Sequence, residues 1–179
     1  FSDSGGFQVM SLGVGFKKVV DMEGEPDQQS TKKKKDKLAW IDNDGVRFKS
    51  HLDGSMHRFT PELSMQIQHG IGADITFAFD ELTTLFHDYA YQVESLEQRT
   101  HPWAVRSLTE HQRLNAERSH RPPQALFGVV QGADHEDLRR QCAKFLGAMD
   151  FDGYGLGGAL RKSNIGNNVR WMCEELPED

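Results

Sequence analysis

The chain has 179 residues, of which 37% are apolar and 27% are charged, and its formal net charge at pH 7 is −6. This composition is typical of a single folded domain with a core and excludes an intrinsically disordered chain. No stretch of 18 apolar residues occurs, and no basic segment leads into an apolar one near residue 1, so we expect neither a membrane span nor a signal peptide. An acidic chain is by itself a poor partner for nucleic acid, because phosphate binding requires clustered lysines and arginines.

The two cysteines, Cys142 and Cys173, do not form a metal-ligand pattern. They lie far apart in the sequence, and neither a Cys-x-x-Cys nor a Cys/His spacing is present. We therefore expect two buried thiols in a reducing cytoplasm, with no metal and no cofactor bound by this chain.

Three features precede the first predicted helix. Residues 3–7 form a glycine-rich turn in which the backbone can come close to a ligand. Residues 21–37 are polar and contain four consecutive lysines, which is typical of a flexible, solvated loop; contact of these lysines with RNA is the less favoured alternative. Residues 38–49 alternate on either side of Asn43-Asp44-Gly45, a pattern that predicts a β-hairpin.

The first predicted helix begins after Thr60, a good N-cap residue, and has Pro61 at its first position. Gly72 is expected to end it. Apolar residues spaced four apart predict the face that is turned to the core: Leu63, Ile67 and Ile71.

From residue 74 onward, predicted strands and helices alternate. The predicted strands are short apolar runs at 74–81, 125–132 and 151–158. The predicted helices follow at 88–114, 134–149 and 164–175. His101-Pro102 is expected to break or kink the first of these helices. Asp134 is expected to cap the second, whose apolar face is predicted at Leu138, Cys142, Phe145 and Met149.

This alternation predicts a parallel sheet that is buried on both faces. Ligands of such sheets bind at the carboxyl ends of the strands, where this chain has Asp80-Glu81, Gln131-Gly132 and Gly157-Gly158. We therefore expect these residues to converge on one site. An α/β fold of the (β/α)8 TIM-barrel type, incomplete in this chain, and a doubly wound sheet both fit the pattern, but the GxGxxG and GxxxxGK[ST] motifs of nucleotide-binding sheets are absent.

Five sequence blocks resemble those of the tRNA-guanine transglycosylase family. In chain order they are DSGGFQ at 3–8, SHLDGS at 50–55, FDE at 79–81, FGVVQG at 127–132 and FDGYGLGG at 151–158. Each block alone is weak, but five in order are specific, and together they cover nearly the whole chain. The resemblance implies a single domain over residues 1–179 that is part of a (β/α)8 barrel.

The family's enzymes exchange the guanine at the wobble position of certain tRNA anticodons for a 7-deazaguanine, which is preQ1 in bacteria and queuine in eukaryotes. The resemblance thus implies a cytoplasmic pentosyltransferase of queuosine biosynthesis, a tRNA-modification pathway. Its implied partners are the tRNA anticodon loop and the 7-deazaguanine base, and the implied full-length assembly is a homodimer.

The chemistry requires two acids. Replacing a base on ribose passes through an oxocarbenium-like state, which one carboxylate captures covalently while a second acid moves the proton. The resemblance assigns the role of proton acceptor to Asp3, whereas the turn alone would favour an aspartate that merely caps the glycines. The implied substrate-binding residues are Asp3, Ser4, Gly5, Gly6, Phe7, Asp80, Glu81, Gln131, Gly157, Gly158 and Ala159.

Within this set, Asp80 would accept the N1–H and 2-amino protons of the base, and Gln131 would donate to its O6. Phe7 would stack on the base, and Gly158 or Ala159 would supply main-chain contacts. For Glu81, binding of a base substituent and orientation of the backbone are equally favoured.

The family's attacking aspartate lies in a later strand and its structural zinc in a Cys-rich block, and this chain has neither. We therefore expect the fragment alone to be inactive and zinc to be bound only by the full-length protein. Two residue types also depart from the family pattern: Leu82 replaces a common Cys, and Ala159-Leu160-Arg161-Lys162 replaces a common Leu-Ala-Val-Gly-Glu run.

Two alternatives fit the same residues. One is a non-catalytic barrel subunit of such an enzyme, and the other is an unrelated TIM-barrel lyase or hydrolase. Intact Asp3, Asp80 and Gln131 argue against the non-catalytic subunit, because a pocket without chemistry has no use for costly polar groups.

Overall fold

A computed structural model of the chain describes residues 1–8, 38–50, 52–118 and 121–178. The predicted loop at 21–37 and His51 of the second sequence block lie outside the described residues. No conclusion about either is drawn from the structure.

The described strands form two three-stranded sheets. The first sheet is antiparallel and contains β1 (Ala39–Asp42), β2 (Gly45–Lys49) and β3 (Met56–Phe59). The second is parallel and contains β4 (Ile75–Phe77), β5 (Ala125–Val130) and β6 (Gly153–Leu156), with β5 in the centre.

Five α-helices whose two ends both lie within the described residues accompany these strands. They are α1 (Pro61–Ile71), α2 (Tyr89–Ser95), α3 (His101–Glu117), α4 (Glu136–Gly147) and α5 (Ile165–Cys173). A π-helical turn, Leu96–Thr100, joins α2 to α3, and a short 3-10 helix, Lys162–Asn164, precedes α5. Helices separate the three parallel strands along the chain, which confirms the predicted alternation and the parallel sheet. The fold is mixed α/β, and the sheet does not close into a barrel within the described residues.

The chain's first residues extend the parallel sheet. Ser2 forms a parallel bridge with Thr76 of β4, and its N–H donates to the Ile75 carbonyl at 3.0 Å. This pairing places residues 3–7 beside the carboxyl end of β4.

Trp103 on α3 connects the two sheets. Its ring stacks on Phe79, just after β4, with centroids 4.9 Å apart, and its indole N–H donates to the Asn43 carbonyl in the hairpin turn at 2.7 Å. Ala39 and Val46 of the antiparallel sheet complete this buried cluster. The hairpin predicted around Asn43-Asp44-Gly45 is therefore confirmed, and it packs directly behind the end of β4.

The ends of α1 are as predicted, but its buried face is not. Thr60 accepts the Leu63 N–H at 3.2 Å, and Gly72 ends the helix in the left-handed region. However, Ile67 is 42% exposed and Ile71 is 67% exposed. The residues that are fully buried on α1 are Pro61, Ser64, Met65, Gln68 and His69.

Polar residues occupy the inner face of α1 because its neighbours offer hydrogen-bonding groups. Ser64 donates to the Ser4 carbonyl at 2.8 Å. Gln68 donates to the Phe77 carbonyl at 2.9 Å and accepts the Phe77 N–H at 3.2 Å. The helix thus fastens the 3–7 turn and β4 from behind, which a prediction from apolar spacing alone could not anticipate.

Proline 102 does not end its helix. The π-helical turn lies immediately before it, and α3 continues to Glu117. The widened turn accommodates a residue that cannot donate a backbone hydrogen bond, so the expected break is a local change of pitch.

Helix α4 differs from its prediction at its N-cap and at one position of its buried face. His135 is its N-cap; the Asp134 side chain instead accepts from Asn168 at 3.1 Å and pairs with Arg161 at 3.2 Å. Leu138 and Cys142 are buried as predicted, whereas Phe145 is 36% exposed and Leu146 is buried in its place.

One cysteine prediction is also wrong. Cys142 is buried, but Cys173 is exposed at the end of α5. Cys173 lies outside the buried face of that helix, where Asn168 and Trp171 are the buried residues.

The Thr60 cap can be tested by substitution. Thr60→Ala removes the acceptor for the Leu63 N–H and is expected to lower the free energy of unfolding by about 1 kcal/mol in urea titrations. Thr60→Ser retains the hydroxyl and should keep most of the stability. Equal stability of Thr60→Ala and the wild type would contradict a stabilising cap.

Candidate active site

An open cavity of about 330 Å³ lies at the carboxyl ends of the three parallel strands. The predicted site residues that line it are Asp3, Phe7, Asp80, Gln131, Gly157, Gly158 and Ala159. The other predicted site residues, Ser4, Gly5, Gly6 and Glu81, are not in its lining. The expected convergence of the polar strand ends is therefore found for β4, β5 and β6.

Asp80 is the centre of this arrangement. Its side chain follows β4 into the cavity, and the residue is only 9% exposed. One carboxylate oxygen accepts the Gln131 amide N–H at 2.5 Å, and the other accepts the Ser4 hydroxyl at 3.3 Å. Each oxygen has a second lone pair, so the carboxylate can still accept hydrogen bonds from a ligand.

The pKa of Asp80 is raised to about 6. Burial is the main cause, because it disfavours the charged form, and the nearby charge of Asp3 acts in the same direction. The hydrogen bonds from Gln131 and Ser4 oppose this rise. The carboxylate is thus ionised at neutral pH but at a cost that further hydrogen-bond donors would reduce.

The 3–7 turn supports this carboxylate from one side. Gly5 has a φ of +95°, a conformation that favours glycine. A Cβ on Gly6 would lie 3.0 Å from both the carbonyl oxygen and a carboxylate oxygen of Asp80. The turn therefore needs its glycines to approach Asp80 closely, which explains why Ser4 and Gly6 lie behind the cavity rather than in its lining.

Main chain forms the wall at the end of β6. A Cβ on Gly157 would lie 2.4 Å from Val129 and 2.8 Å from the Gln131 amide nitrogen. A Cβ on Gly158, which has a φ of +92°, would lie 2.7 Å from the Gln131 amide oxygen. The Gln131 amide therefore lies close against the Gly157-Gly158 backbone.

Glu81 points away from the cavity. Its carboxylate accepts the Tyr91 hydroxyl at 2.7 Å and forms a buried ion pair with the Nε of Arg99, which also pairs with Glu94. These contacts favour the second of its two predicted roles, orientation of the backbone next to Asp80. Tyr91 and Arg99 were not predicted, and no local motif in the sequence marks them.

Arg139 is a further residue that sequence patterns did not single out. It is wholly buried on α4, below the end of β5, and burial lowers its pKa to about 10. Its position could have been a signal, because a lone arginine stands inside the helical stripe of buried residues formed by Leu138, Cys142 and Leu146.

Apolar side chains complete the cavity. Phe77, Leu82, Val129 and Leu156 line it; all four lie in or beside predicted strands, but none was predicted as a substrate-binding residue. Phe7 is 42% exposed at the cavity and has a ring free to face a ligand there. The cavity thus combines apolar walls with two carboxylates and one amide.

The described part of the chain contains no group of three or more His, Cys, Asp or Glu side chains that could hold a metal ion. These residues therefore do not fit a structural zinc site. Among the same residues, no helix is long and apolar enough to cross a membrane.

Comparison with known proteins agrees with the geometry. A sequence profile of the queuine tRNA-ribosyltransferase family matches residues 1–179. The chain belongs to this family. This match confirms the resemblance drawn from the five sequence blocks. As the name of the family says, its members are transferases that modify tRNA.

Individual members of the queuine tRNA-ribosyltransferase family are similar over almost all of the chain. The queuine tRNA-ribosyltransferase of Roseiflexus sp. (strain RS-1) is 45% identical over 97% of the chain and 42% of its own length. That of Lactococcus lactis subsp. lactis is 43% identical over 99% of the chain and 40% of its own length. The chain therefore spans less than half the length of these curated relatives.

The raised pKa of Asp80 makes a prediction about stability. An aspartate whose pKa is higher in the folded than in the unfolded state opposes folding once the pH rises through the folded value, here about 6. Asp80→Asn is therefore expected to raise the unfolding temperature at pH 7.5 by roughly 5 °C, measured by calorimetry.

This difference in unfolding temperature should disappear at a pH below the ordinary pKa of an aspartate, because the side chain at position 80 is then neutral in both the wild type and the variant. Asp150→Asn, at an exposed position in the loop before β6, is the matched control and should change the unfolding temperature little. A destabilised Asp80→Asn protein at pH 7.5 would contradict this account of the buried carboxylate.

Proposed function

We propose that this chain supplies the base pocket of a tRNA-guanine transglycosylase that exchanges the wobble guanine of a tRNA anticodon for a 7-deazaguanine such as preQ1. The observation that carries the proposal is the buried Asp80 carboxylate, which is hydrogen-bonded to the Gln131 amide in the lining of a cavity of about 330 Å³. The reaction class is that of a pentosyltransferase.

The donor and acceptor pattern of this pocket complements a guanine edge. A guanine-type base presents two adjacent donors, N1–H and the 2-amino group, and one acceptor, O6. Asp80 accepts the two donors, and the Gln131 amide nitrogen, together with main-chain N–H groups at Gly158 or Ala159, donates to O6. Binding such a base adds hydrogen bonds to the buried Asp80 carboxylate and so lessens its desolvation cost.

The walls suit a flat aromatic ring. Phe7 stacks on the base, a contact worth about 1–3 kcal/mol in other base-binding proteins. The close approach of the Gly157-Gly158 backbone to Gln131 leaves a smooth surface on the edge of the cavity. Leu82 stands at the cavity lining, where its apolar side chain excludes water.

Asp3 handles the proton. It lines the same cavity as Asp80 and is exposed, so it is accessible to the base and to the ribose carbon. In a covalent double displacement, one carboxylate attacks the ribose carbon and the bond from that carbon to guanine breaks, while guanine takes a proton from Asp3. The incoming 7-deazaguanine then gives its own proton to Asp3 and attacks the same carbon, and the bond between that carbon and the carboxylate breaks. We assign the proton acceptor role to Asp3 and the attacking carboxylate to the part of the family's length that this chain does not span.

The same reasoning extends to the rest of the protein. The three parallel strands and the paired Ser2 form one arc of a (β/α)8 barrel. The remaining strands, the structural zinc, most of the tRNA-binding surface and a homodimer interface belong to the longer family protein. Alone, the 179 residues form a pocket without turnover.

Substitutions at the two acids in the full-length protein test the proposal. Asp80→Ala removes two charge-assisted hydrogen bonds and should weaken binding of 7-deazaguanine at least about 100-fold in calorimetric titrations. Asp3→Asn should leave base affinity nearly unchanged but reduce incorporation of labelled base into tRNA at least about 100-fold.

Wild-type protein that neither binds 7-deazaguanine nor incorporates it into tRNA would overturn the proposed function and favour an unrelated lyase or hydrolase. Binding without incorporation, in a protein that retains the full family length, would instead support a non-catalytic subunit. A covalent tRNA adduct on the 179-residue chain alone would contradict the assignment of the attacking carboxylate.

Base binding should also depend on pH. Because Asp80 must be ionised to accept two hydrogen bonds from the base and its pKa is about 6, affinity for 7-deazaguanine should fall by up to about tenfold per pH unit below that value. Ser4→Ala removes a hydrogen bond that lowers this pKa and should move the midpoint to higher pH. An affinity that stays constant from about pH 5 to about pH 8, a range that includes the pKa of Asp80, would contradict the role of Asp80.

A further inference from the structure

Arg139 is a buried cation that is held by three hydrogen-bond acceptors. Its Nη1 donates to the Val130 carbonyl at 2.5 Å, and its Nε donates to the Ala133 carbonyl at 2.7 Å and to the Asn168 side chain at 3.0 Å. No carboxylate forms an ion pair with it within the described ranges of the chain. A charge that is buried without an opposite partner calls for a specific use.

The remaining nitrogen of Arg139 is aimed at the cavity wall. Nη2 is buried and has no hydrogen-bond partner among the residues that the structure describes. It lies 3.3 Å from the position that a Cβ on Gly158 would occupy. The rigid fork of a guanidinium fixes this nitrogen once the other two are held.

The Gln131 amide oxygen, which could accept a hydrogen bond, lies near the same Gly158 position. This oxygen is also buried and without a partner among the described residues, and it lies 2.7 Å from the same Gly158 Cβ position. The amide nitrogen faces the other way and donates to Asp80. The amide is thus set between a carboxylate on its nitrogen side and a guanidinium on its oxygen side.

We propose that Arg139 is a positioning residue that holds the Gln131 amide with its oxygen toward Gly158 and its nitrogen toward the bound base, so that the pocket selects a 6-oxo over a 6-amino purine. The inference rests on the proposed function, since it assigns Gln131 to the O6 side of the base. Arg139 itself does not touch the base.

The physical reason is that an amide can be reversed by rotating half a turn. In one orientation Gln131 offers a donor to the base, which suits O6, and in the other it offers an acceptor, which suits a 6-amino group. A cation near the oxygen stabilises the first orientation, because its charge attracts the partial negative charge of the amide oxygen and repels the partial positive charge of the amide N–H groups. Without Arg139, Asp80 alone opposes the reversal, and this opposition weakens whenever Asp80 is protonated.

The test compares two probes on the full-length protein, 7-deazaguanine and 2,6-diamino-7-deazapurine. Their dissociation constants are measured by calorimetry for the wild type and for Arg139→Met. Arg139→Met is expected to reduce the preference for the 6-oxo base by about tenfold or more, because the charge that orients the Gln131 amide is removed. The diamino probe also lacks the N1–H of 7-deazaguanine. This difference between the probes affects the wild type and Arg139→Met alike, so it cancels when their preferences are compared.

A double-mutant cycle decides whether Arg139 acts through Gln131. If it does, Arg139→Met should change the preference little in a Gln131→Ala background. Weaker binding of both bases by one factor, with the preference unchanged, would overturn the proposal and leave Arg139 a purely structural role. Wild-type protein that binds neither base would instead refute the proposed function and is a separate outcome.

Two further variants keep the test decisive. Arg140→Met lies on the same helix and removes exposed ion pairs with Glu136, Glu174 and Glu175, so it should leave the preference unchanged. If Arg139→Met does not fold, as judged by circular dichroism, Arg139→Lys replaces it, because lysine keeps the charge but lacks the fork. A reduced preference in Arg139→Lys supports the proposal, and a wild-type preference overturns it.

Discussion

The hydrogen bond between the Gln131 amide and the buried Asp80 carboxylate is the interaction on which the rest of the site depends. It joins the ends of β4 and β5 in the cavity lining and is the shortest hydrogen bond of that carboxylate, at 2.5 Å. A buried charge is costly in the absence of such partners, so the surrounding elements are arranged to supply them. The 3–7 turn brings the Ser4 hydroxyl, and α1 holds that turn through Ser64. The polar side chains on the buried face of α1 are thereby explained by the charge of Asp80, although Ser64 contacts only the turn that supports it.

Local signals in the sequence predicted the local parts of the fold. The hairpin around Asp44-Gly45 and the cap at Thr60 depend on neighbouring residues only, and both are found in the structure. The buried face of α1 and the cap of α4 depend on contacts with distant segments, and these predictions failed. Ile67 is exposed because Gln68 bonds to β4, and Asp134 does not cap α4 because it bonds to Asn168. Apolar spacing carries no information about such polar contacts.

The candidate site follows the same division. The convergence of Asp80, Gln131 and Gly157 could be predicted because parallel strands present their carboxyl ends on one edge. The direction of Glu81 could not, since two adjacent acids after a strand point to opposite sides and only tertiary contacts with Tyr91 decide which faces the ligand. Arg139 was hidden for a related reason: its partners are mainly backbone carbonyls, which leave no mark in a sequence.

The glycine wall at the end of β6 limits how such a pocket can change. No side chain can be added at Gly157 or Gly158 without colliding with Val129 or Gln131. A larger residue on this side would therefore require Val129 or Gln131 to shift, whereas the side chains elsewhere in the lining, such as Leu82, can change in size without such a collision. The shape of the cavity is thus more easily changed at Leu82 than at the end of β6.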